Sequence, residues 1–175
     1  MKVFYIFLTL SSLFLITSCI SESKPGKRVL DTFKAMYPEV EYVDWDKEGS
    51  YFVANFKINH RETEAWFDKK GYWYMTQIEI TTDSLPQPVL QNMNNSKYKY
   101  WRIEDIEMVR YHNLHTKYCI EVEKEIQGHP HYLYLVYTNE GVLEKVINYN
   151  EQHPEETPDL DIIATTNFDV KHYTA

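Results

Sequence analysis

The chain has 175 residues, of which 43% are apolar and 15% aromatic, and its net charge is −8. An acidic chain without a basic stripe excludes nucleic acid as a partner, because phosphates require clustered lysine and arginine. The lack of a polybasic segment excludes electrostatic attraction to anionic lipid. The apolar fraction suffices for a core, and the length fits one domain or two small, closely packed ones.

The start of the chain has the pattern of an export signal. A lysine precedes an apolar run over residues 3–16, which is too short for a membrane span. Residues 15–19 read Leu-Ile-Thr-Ser-Cys and resemble a bacterial lipobox, in which the cysteine is acylated. We therefore expect a lipoprotein signal peptide over residues 1–18 and a tether over residues 19–26. Cys19 would be the lipidation site, and the alternative is an ordinary cleaved signal with an unrelated cysteine.

This start also predicts a location. The protein would be held at a membrane of the cell envelope through its lipid and would face the periplasm. The outer membrane is the expected one, and exposure at the cell surface stays open.

The first half of the remaining chain predicts one helix and a meander of strands. The helix runs from Lys27 to Tyr37, where apolar residues recur at helical spacing until a proline stops it. One strand, Tyr51–Ile58, alternates apolar and polar residues, as in an antiparallel sheet with one covered face. The four predicted strands are Glu39–Trp45, Tyr51–Ile58, Arg61–Phe67 and Tyr72–Thr81.

The second half repeats this order. A helix opens at Ser84-Leu85-Pro86, and Gly141 stands in a hairpin that matches the hairpin of Gly71, where positive φ is needed. The expected strands are Tyr100–Val109, Thr116–Ile126, His131–Tyr137 and Val142–Asn150.

The two halves together predict an α+β fold. It is a tandem repeat of a helix plus a roughly four-stranded antiparallel meander, which forms one curved sheet with the helices on one face. The repeats span residues 27–83 and 84–150, and residues 151–175 form an acidic C-terminal tail.

Several short motifs support a resemblance to a known family. They are Thr32-Phe33, Tyr37-Pro38, Val43-x-Trp45, Ala54-x-Phe56, Trp66-Phe67-Asp68-x-x-Gly71-x-Trp73 and Leu85-Pro86-x-x-Val89. Over residues 27–150 the chain resembles the PepSY-like proteins, exported proteins of Bacteroides-type bacteria described as beta-lactamase-inhibitor-like. The resemblance is closer in the first repeat than in the second, whose hairpin has no tryptophan. It implies the tandem fold with a continuous curved sheet, and it implies no catalysis.

Two histidine pairs are the weak candidates for a metal site. His112 and His115 lie in one predicted hairpin, and His129 and His131 flank a proline at the next turn. Such pairs can bind zinc, but no nearby cysteine completes a structural site, and solvated loop histidines are the favoured interpretation. We therefore predict no metal and no cofactor.

The sequence also predicts no enzyme and no catalytic residue. Cys119 shares a strand face with Glu121 and two further glutamates, which oppose the thiolate that a nucleophile needs. Rows of carboxylates on a sheet, here also Glu62 and Glu64, are usually solvated rather than set in a hydrolase cleft. A phosphate-binding glycine loop and a nucleophile elbow are both absent from the sequence.

The aromatic residues are the most informative side chains for function. Trp and Tyr suit surfaces that a partner covers, although cross-strand packing is the alternative. The helix-free side of the sheet is expected to carry Tyr51, Trp66, Trp73 and the Glu121 row. The candidate partner-binding residues are Trp45, Tyr51, Trp66, Trp73 and Trp101.

Three functions stay open. The first is a lipid-anchored envelope protein whose aromatic sheet face binds an unknown envelope protein or peptide, with inhibition as one form of that role. The second is a carrier or sensor of a small apolar or glycan ligand, and the third is a structural component of the envelope. An exposed aromatic face favours the first, a closed pocket the second, and buried aromatics under a polar face the third.

Overall fold

The computed structural model describes residues 24–148, and every structural statement below concerns that part of the chain. The predicted signal peptide, Cys19 and the acidic tail lie outside the described residues. The elements in chain order are α1 (Lys27–Met36), β1 (Asp44–Glu48), β2 (Tyr51–Ile58), β3 (Arg61–Asp68), β4 (Trp73–Glu79), a short 3-10 turn (Thr82–Ser84), α2 (Gln87–Asn95), β5 (Arg102–Tyr111), β6 (Thr116–Ile126), β7 (His129–Thr138) and β8 (Leu143–Asn148).

The strands form one antiparallel eight-stranded sheet whose order is the order of the chain. The predicted α+β class is therefore confirmed, and two strands, Tyr51–Ile58 and Thr116–Ile126, have the predicted bounds. Asn59 and His60 join β2 to β3 with φ of 52° and 66°, the left-handed backbone conformation that a two-residue type I′ hairpin turn needs at both positions. Neither helix has the length and apolar content required to span a bilayer within residues 24–148.

Both helices pack on the same face of the sheet. Helix α1 buries Val29 and Phe33 in a cluster with Phe67 and other residues of β2 and β3. Helix α2 buries Val89 and Met93 in a second cluster that is built mainly on β5, β6 and β7. The strand register connects the two clusters across the sheet, because side chains of directly paired residues point to the same side.

The opposite side of the sheet carries a third apolar cluster, to which neither helix contributes a residue. We call this side the helix-free face. Its buried residues are Val53, Trp66, Met75, Val109, Tyr111, Cys119, Tyr134, Val136 and Ile147, with Tyr51, Tyr74 and Tyr132 packed against them. These residues come from β2 to β8, so the cluster spans both halves of the chain.

The first strand lies further along the chain than the predicted Glu39–Trp45. β1 begins at Asp44, and Tyr42 before it is 86% exposed. Asp46 and Lys47, which follow the predicted strand, belong to β1 and pair with Val53 and Phe52. Pairing with β2 thus determines where this charged edge strand lies, because its own residues show no apolar alternation.

The prediction that Trp73 lies on the helix-free face is wrong. The pairing of β3 with β4 shifts by one residue, since Trp66 pairs with Met75 and Phe67 pairs with Trp73. The extra residue, Tyr74, makes a β-bulge that moves Trp73 to the helix side, where it packs in the α1 cluster.

Candidate functional site

The five aromatic residues predicted to bind a partner lie in three places. Trp45 and Trp73 pack in the α1 cluster, with the Trp45 ring 5.3 Å from that of Phe33. Trp101 packs beside the α2 cluster, 5.9 Å from Tyr98. Tyr51 and Trp66 lie together on the helix-free face.

The aromatic part of the helix-free face is an array of rings from neighbouring strands. The ring of Tyr51 lies 6.1 Å from that of Trp66 and 5.4 Å from that of Tyr74, measured between centroids. Trp66 is only 3% exposed, and its indole donates to Glu64 Oε2 over 3.3 Å. Tyr51 is partly exposed, so the array offers edges of rings rather than a flat open platform. Sequence reasoning did not identify Tyr74 as part of this array, because the β-bulge determines on which face of the sheet its side chain lies.

A groove of about 820 Å³ adjoins this array at the end of the sheet where β2 turns into β3. We call it the acidic groove, because eight carboxylates and a single lysine, Lys57, line it. The carboxylates are Glu39, Glu41, Asp44, Glu62, Glu64, Glu79, Asp105 and Glu107. Carboxylates at this density create a negative potential that attracts cations.

A buried amide lies among these carboxylates. Gln77 is 1% exposed, lines the acidic groove, and donates from Nε2 to Glu107 Oε2 over 2.9 Å. Its Oε1 atom is buried and accepts no hydrogen bond in the structure. Buried polar atoms are nearly always hydrogen-bonded, so this oxygen is a departure from the rule.

Glu121 continues the carboxylates onto β6. It pairs across strands with Asp105 on one side and Tyr134 on the other. Burial, and then the negative charges of Asp105, Glu104 and Glu123, raise the pKa of Glu121 to about 7. This carboxyl group therefore takes up a proton near neutral pH.

A family model described as "Putative beta-lactamase-inhibitor-like, PepSY-like" matches residues 50–145, which is more than half of the chain. The chain belongs to this PepSY-like family. A search of curated proteins finds no significant match.

Three solved structures share the PepSY-like fold seen here. A DUF2874 family protein from Bacteroides ovatus is 29% identical with a TM-score of 0.67, and the match covers 71% of this chain and 88% of that one. A BLIP-like protein from Bacteroides fragilis is 27% identical with a TM-score of 0.64, covering 72% and 87%. A protein from Bacteroides eggerthii described as "putative periplasmic" is 22% identical with a TM-score of 0.67, covering 74% and 95%.

Cys119 of this PepSY-like chain lies inside the apolar cluster of the helix-free face. It is fully buried, and burial followed by the charge of Glu107 raises the pKa of its thiol well above the ordinary value. A thiol in this setting stays protonated and inert, as its strand pattern predicts.

The two histidine pairs lie at opposite ends of β6. His112 packs beside the ring of Tyr74 with the ring centroids 6.2 Å apart, and His115 is exposed in the same hairpin. His129 and His131 are in the first residues of β7. β6 is eleven residues long, so the two pairs cannot share one ion. Over the described residues, no three His, Cys, Asp or Glu side chains are grouped to hold a metal.

A smaller cavity of about 320 Å³ lies at the end of α1, on the helix side of the sheet. Met36, Tyr37, Trp73 and Leu114 give it apolar walls, and Arg110 gives it a cation. The Tyr37 hydroxyl is hydrogen-bonded to Thr76 Oγ1 over 2.6 Å, which fixes one wall.

Proposed function

We propose that this PepSY-like protein binds a protein or peptide partner through its helix-free face, and that it does so without catalysing a reaction. The observation that carries the proposal is the arrangement of that face, where aromatic rings of β2 to β4 adjoin the acidic groove while both helices pack on the other side. Aromatic residues bordered by polar groups are the composition of protein interfaces. The family description and the BLIP-like relative support an inhibitor-like role for this binding.

We infer the absence of catalysis from the surroundings of Cys119 and Glu121 on the helix-free face. Cys119 is fully buried and its pKa is raised, which opposes nucleophilic attack. Burial and the neighbouring carboxylates raise the pKa of Glu121 to about 7, and the one thiol near it, Cys119, is buried and held protonated.

We further propose that the fold is a tandem repeat of the two halves named above. Two matching close contacts between a hairpin and a helix support it. A Cβ added to Gly71 would lie 2.8 Å from the carbonyl oxygen of Arg28, and one added to Gly141 would lie 2.5 Å from that of Pro88. The helix positions differ by sixty residues and the hairpin positions by seventy, as expected for an insertion in the second repeat.

The hydrogen bonds of these hairpins correspond as well. An Asp68 side-chain oxygen accepts from the backbone of Lys70 and Tyr72 in the first hairpin. Thr138 Oγ1 accepts from the backbone of residues 140 and 142 in the second. Each hairpin also adjoins a β-bulge, after Trp66 in one and after Val136 in the other.

We propose that the protein is exported, acylated at Cys19 and held facing the periplasm, with the outer membrane as its location. The lipobox-like residues 15–19 support the anchor, and the fold shared with a protein described as "putative periplasmic" supports the compartment. Replacing Cys19 by alanine should release the protein from the membrane fraction. Unchanged partitioning between membrane and soluble fractions would refute the anchor.

A second candidate function is the transport or sensing of a small ligand in the cavity beside α1. Its volume of about 320 Å³ is at the lower end of the range for ligand pockets. Tyr37 and Trp73 offer ring surfaces for an apolar or glycan ligand, and Arg110 would select one with an anionic group.

Affinity capture from an envelope extract tests the partner-binding proposal. The bait is the full chain, compared with Tyr51→Ala/Tyr132→Ala on the helix-free face and with Tyr72→Ala/Tyr100→Ala, which removes two exposed tyrosines elsewhere. We expect a protein that the wild-type chain and the second variant retain and the first variant loses. Equal retention by all three baits removes the helix-free face as the binding surface.

A further inference from the structure

The residues that line the acidic groove carry a net negative charge. Its one lysine, Lys57, forms an ion pair with Glu62, and seven further carboxylates line the same space. They come from β3, β4, β5 and the segment around the start of β1, so the negative charge extends along the groove rather than lying at one point.

Gln77 supplies an independent indication that a ligand with hydrogen-bond donors enters this groove. Its amide nitrogen donates to Glu107, which fixes the orientation of the carboxamide and leaves Oε1 as its one acceptor atom. That oxygen is buried, belongs to a residue of the groove wall, and has no donor in the structure. A donor on a bound ligand would remove the free-energy cost of leaving it unpaired.

We propose that the acidic groove binds an extended peptide segment that carries arginine side chains. This inference depends on the proposed partner-binding function and specifies the chemistry of the partner. A guanidinium group has five N–H donors and no acceptor, so one arginine can bind a carboxylate with two hydrogen bonds and still reach a neighbouring carbonyl oxygen. The groove offers both kinds of acceptor together at Glu107 and Gln77.

Other cationic ligands fit the groove less well. A single metal ion needs several converging ligands, and the described residues contain no such group of three. A small amine would neutralise one or two of the eight carboxylates, whereas a segment of several residues can pair with carboxylates along the whole groove.

The C-terminal residues of the chain itself are also unsuitable, on the ground of charge. Residues 149–175 contain six Asp and Glu but only one lysine. Like charges repel, so this segment is a poor match for the groove.

Binding of defined peptides to the full chain, purified in mild detergent, tests the inference. The probe is a capped eight-residue peptide of alternating arginine and serine, and its control carries citrulline, a neutral isostere, in place of arginine. By calorimetry we expect the arginine peptide to bind at least about tenfold more tightly, because charge-assisted hydrogen bonds are lost with citrulline. Equal affinity of the two peptides, or no binding of either, overturns the proposal.

Matched variants locate the binding site. Glu62→Gln/Glu79→Gln removes two exposed carboxylates of the groove, and Glu125→Gln/Glu140→Gln removes two exposed carboxylates outside it, so both variants change the net charge equally. We expect the groove variant to bind the arginine peptide about tenfold more weakly and the control variant to bind almost normally. Equal weakening would mean that the net charge of the protein, not the groove, attracts the peptide.

Two further measurements make the outcome specific. The side-chain amide signals of Gln77 in NMR spectra should shift on addition of the arginine peptide but not of the citrulline peptide. Spermine binding as tightly as the peptide would overturn the peptide assignment. If peptide binding fails while capture from envelope extract still depends on Tyr51 and Tyr132, this inference is wrong and the proposed function stands.

Discussion

Glu121 links the charge of the helix-free face to the stability of the fold. Its pKa in the folded protein is about 7, raised from 4.5 by burial and by Asp105, Glu104 and Glu123. A carboxyl group with a raised pKa holds its proton more tightly in the folded than in the unfolded state. Its contribution to stability is therefore greatest below pH 4.5 and is lost as the pH rises to about 7.

Replacing Glu121 by glutamine should remove this pH dependence. We expect the wild-type protein to lose about 1 kcal/mol of unfolding free energy relative to Glu121→Gln between pH 5 and pH 8, since partial exposure screens much of the effect. Urea unfolding of both proteins at the two pH values measures the difference. Parallel stability profiles would show that Glu121 titrates normally in the folded protein.

Thr76 is the second residue whose surroundings lead to a prediction. It lies on β4 and is fully buried, hydrogen-bonded to Tyr37 Oη over 2.6 Å and accepting from Trp73 Nε1 over 3.0 Å. Replacement by valine keeps the shape and leaves both partners unpaired, so we expect a loss of about 2 kcal/mol in unfolding free energy.

Thr63→Val is the matched control for Thr76→Val. Thr63 is also buried, but its hydroxyl makes one 3.2 Å bond to the backbone carbonyl of Arg61. Its replacement should lower the unfolding free energy by less than half as much. Comparing the denaturant midpoints of the two variants tests this difference. Similar midpoints would mean that the hydrogen bonds of Thr76 add nothing to the stability of the fold.

At the scale of elements, glycine permits the close contact of the β3–β4 hairpin with α1 and of the β7–β8 hairpin with α2. Gly71 has φ of 85° and lies against the backbone of Arg28, whereas Gly128 has nearly the same φ, 82°, and open space around it. Gly128→Ala should cost about 1 kcal/mol, from backbone strain alone. Gly71→Ala should cost about 3 kcal/mol, because the added methyl group also pushes the hairpin from the helix.

The same comparison examines the tandem repeat. If the two halves are equivalent, Gly141→Ala, whose Cβ would meet Pro88, should be as damaging as Gly71→Ala. Thermal unfolding of the three variants ranks them. A Gly141→Ala protein as stable as Gly128→Ala would argue against equivalent packing of the two hairpins.

The elements show where sequence patterns suffice and where they do not. β2 and β6 alternate clearly, and their bounds were predictable from period two alone. β1 is a charged edge strand, so its position depends on pairing with β2 and not on its own residues. Alternation predicts the wrong face for Trp73, because an extra residue in β4 makes a bulge. No residue type in that hairpin indicates the bulge in advance.

At the scale of the whole molecule, the helix-free cluster joins both halves into one unit. It draws residues from β2 to β8, and β4 pairs with β5 across the boundary between the halves. We therefore expect a single unfolding transition. In Trp101→Phe, the remaining tryptophans report on the first half alone, so their fluorescence should change together with the circular dichroism of the whole chain. Two separated transitions would contradict this.

The acidic groove could not be predicted from the sequence as a site. Its carboxylates are spread from Glu39 to Glu107 along the chain, and only the folded sheet brings them together. One sequence signal points to it: Gln77 is two residues from Met75 in a predicted strand and so shares a face with an apolar residue, where a polar side chain needs a partner. The alternation of apolar and polar residues does not show whether a carboxylate lies beside other carboxylates or faces open solvent.

The order of strands in the sheet has a consequence for how the protein matures. Every strand pairs only with the strand made immediately before or after it. On the proposed export route, a chain that leaves a translocation channel from its N-terminus can add one strand at a time to a growing edge, and no strand waits for a distant partner. We expect such progressive assembly to shorten the time for which partly folded intermediates with exposed apolar surface are open to proteolysis and aggregation.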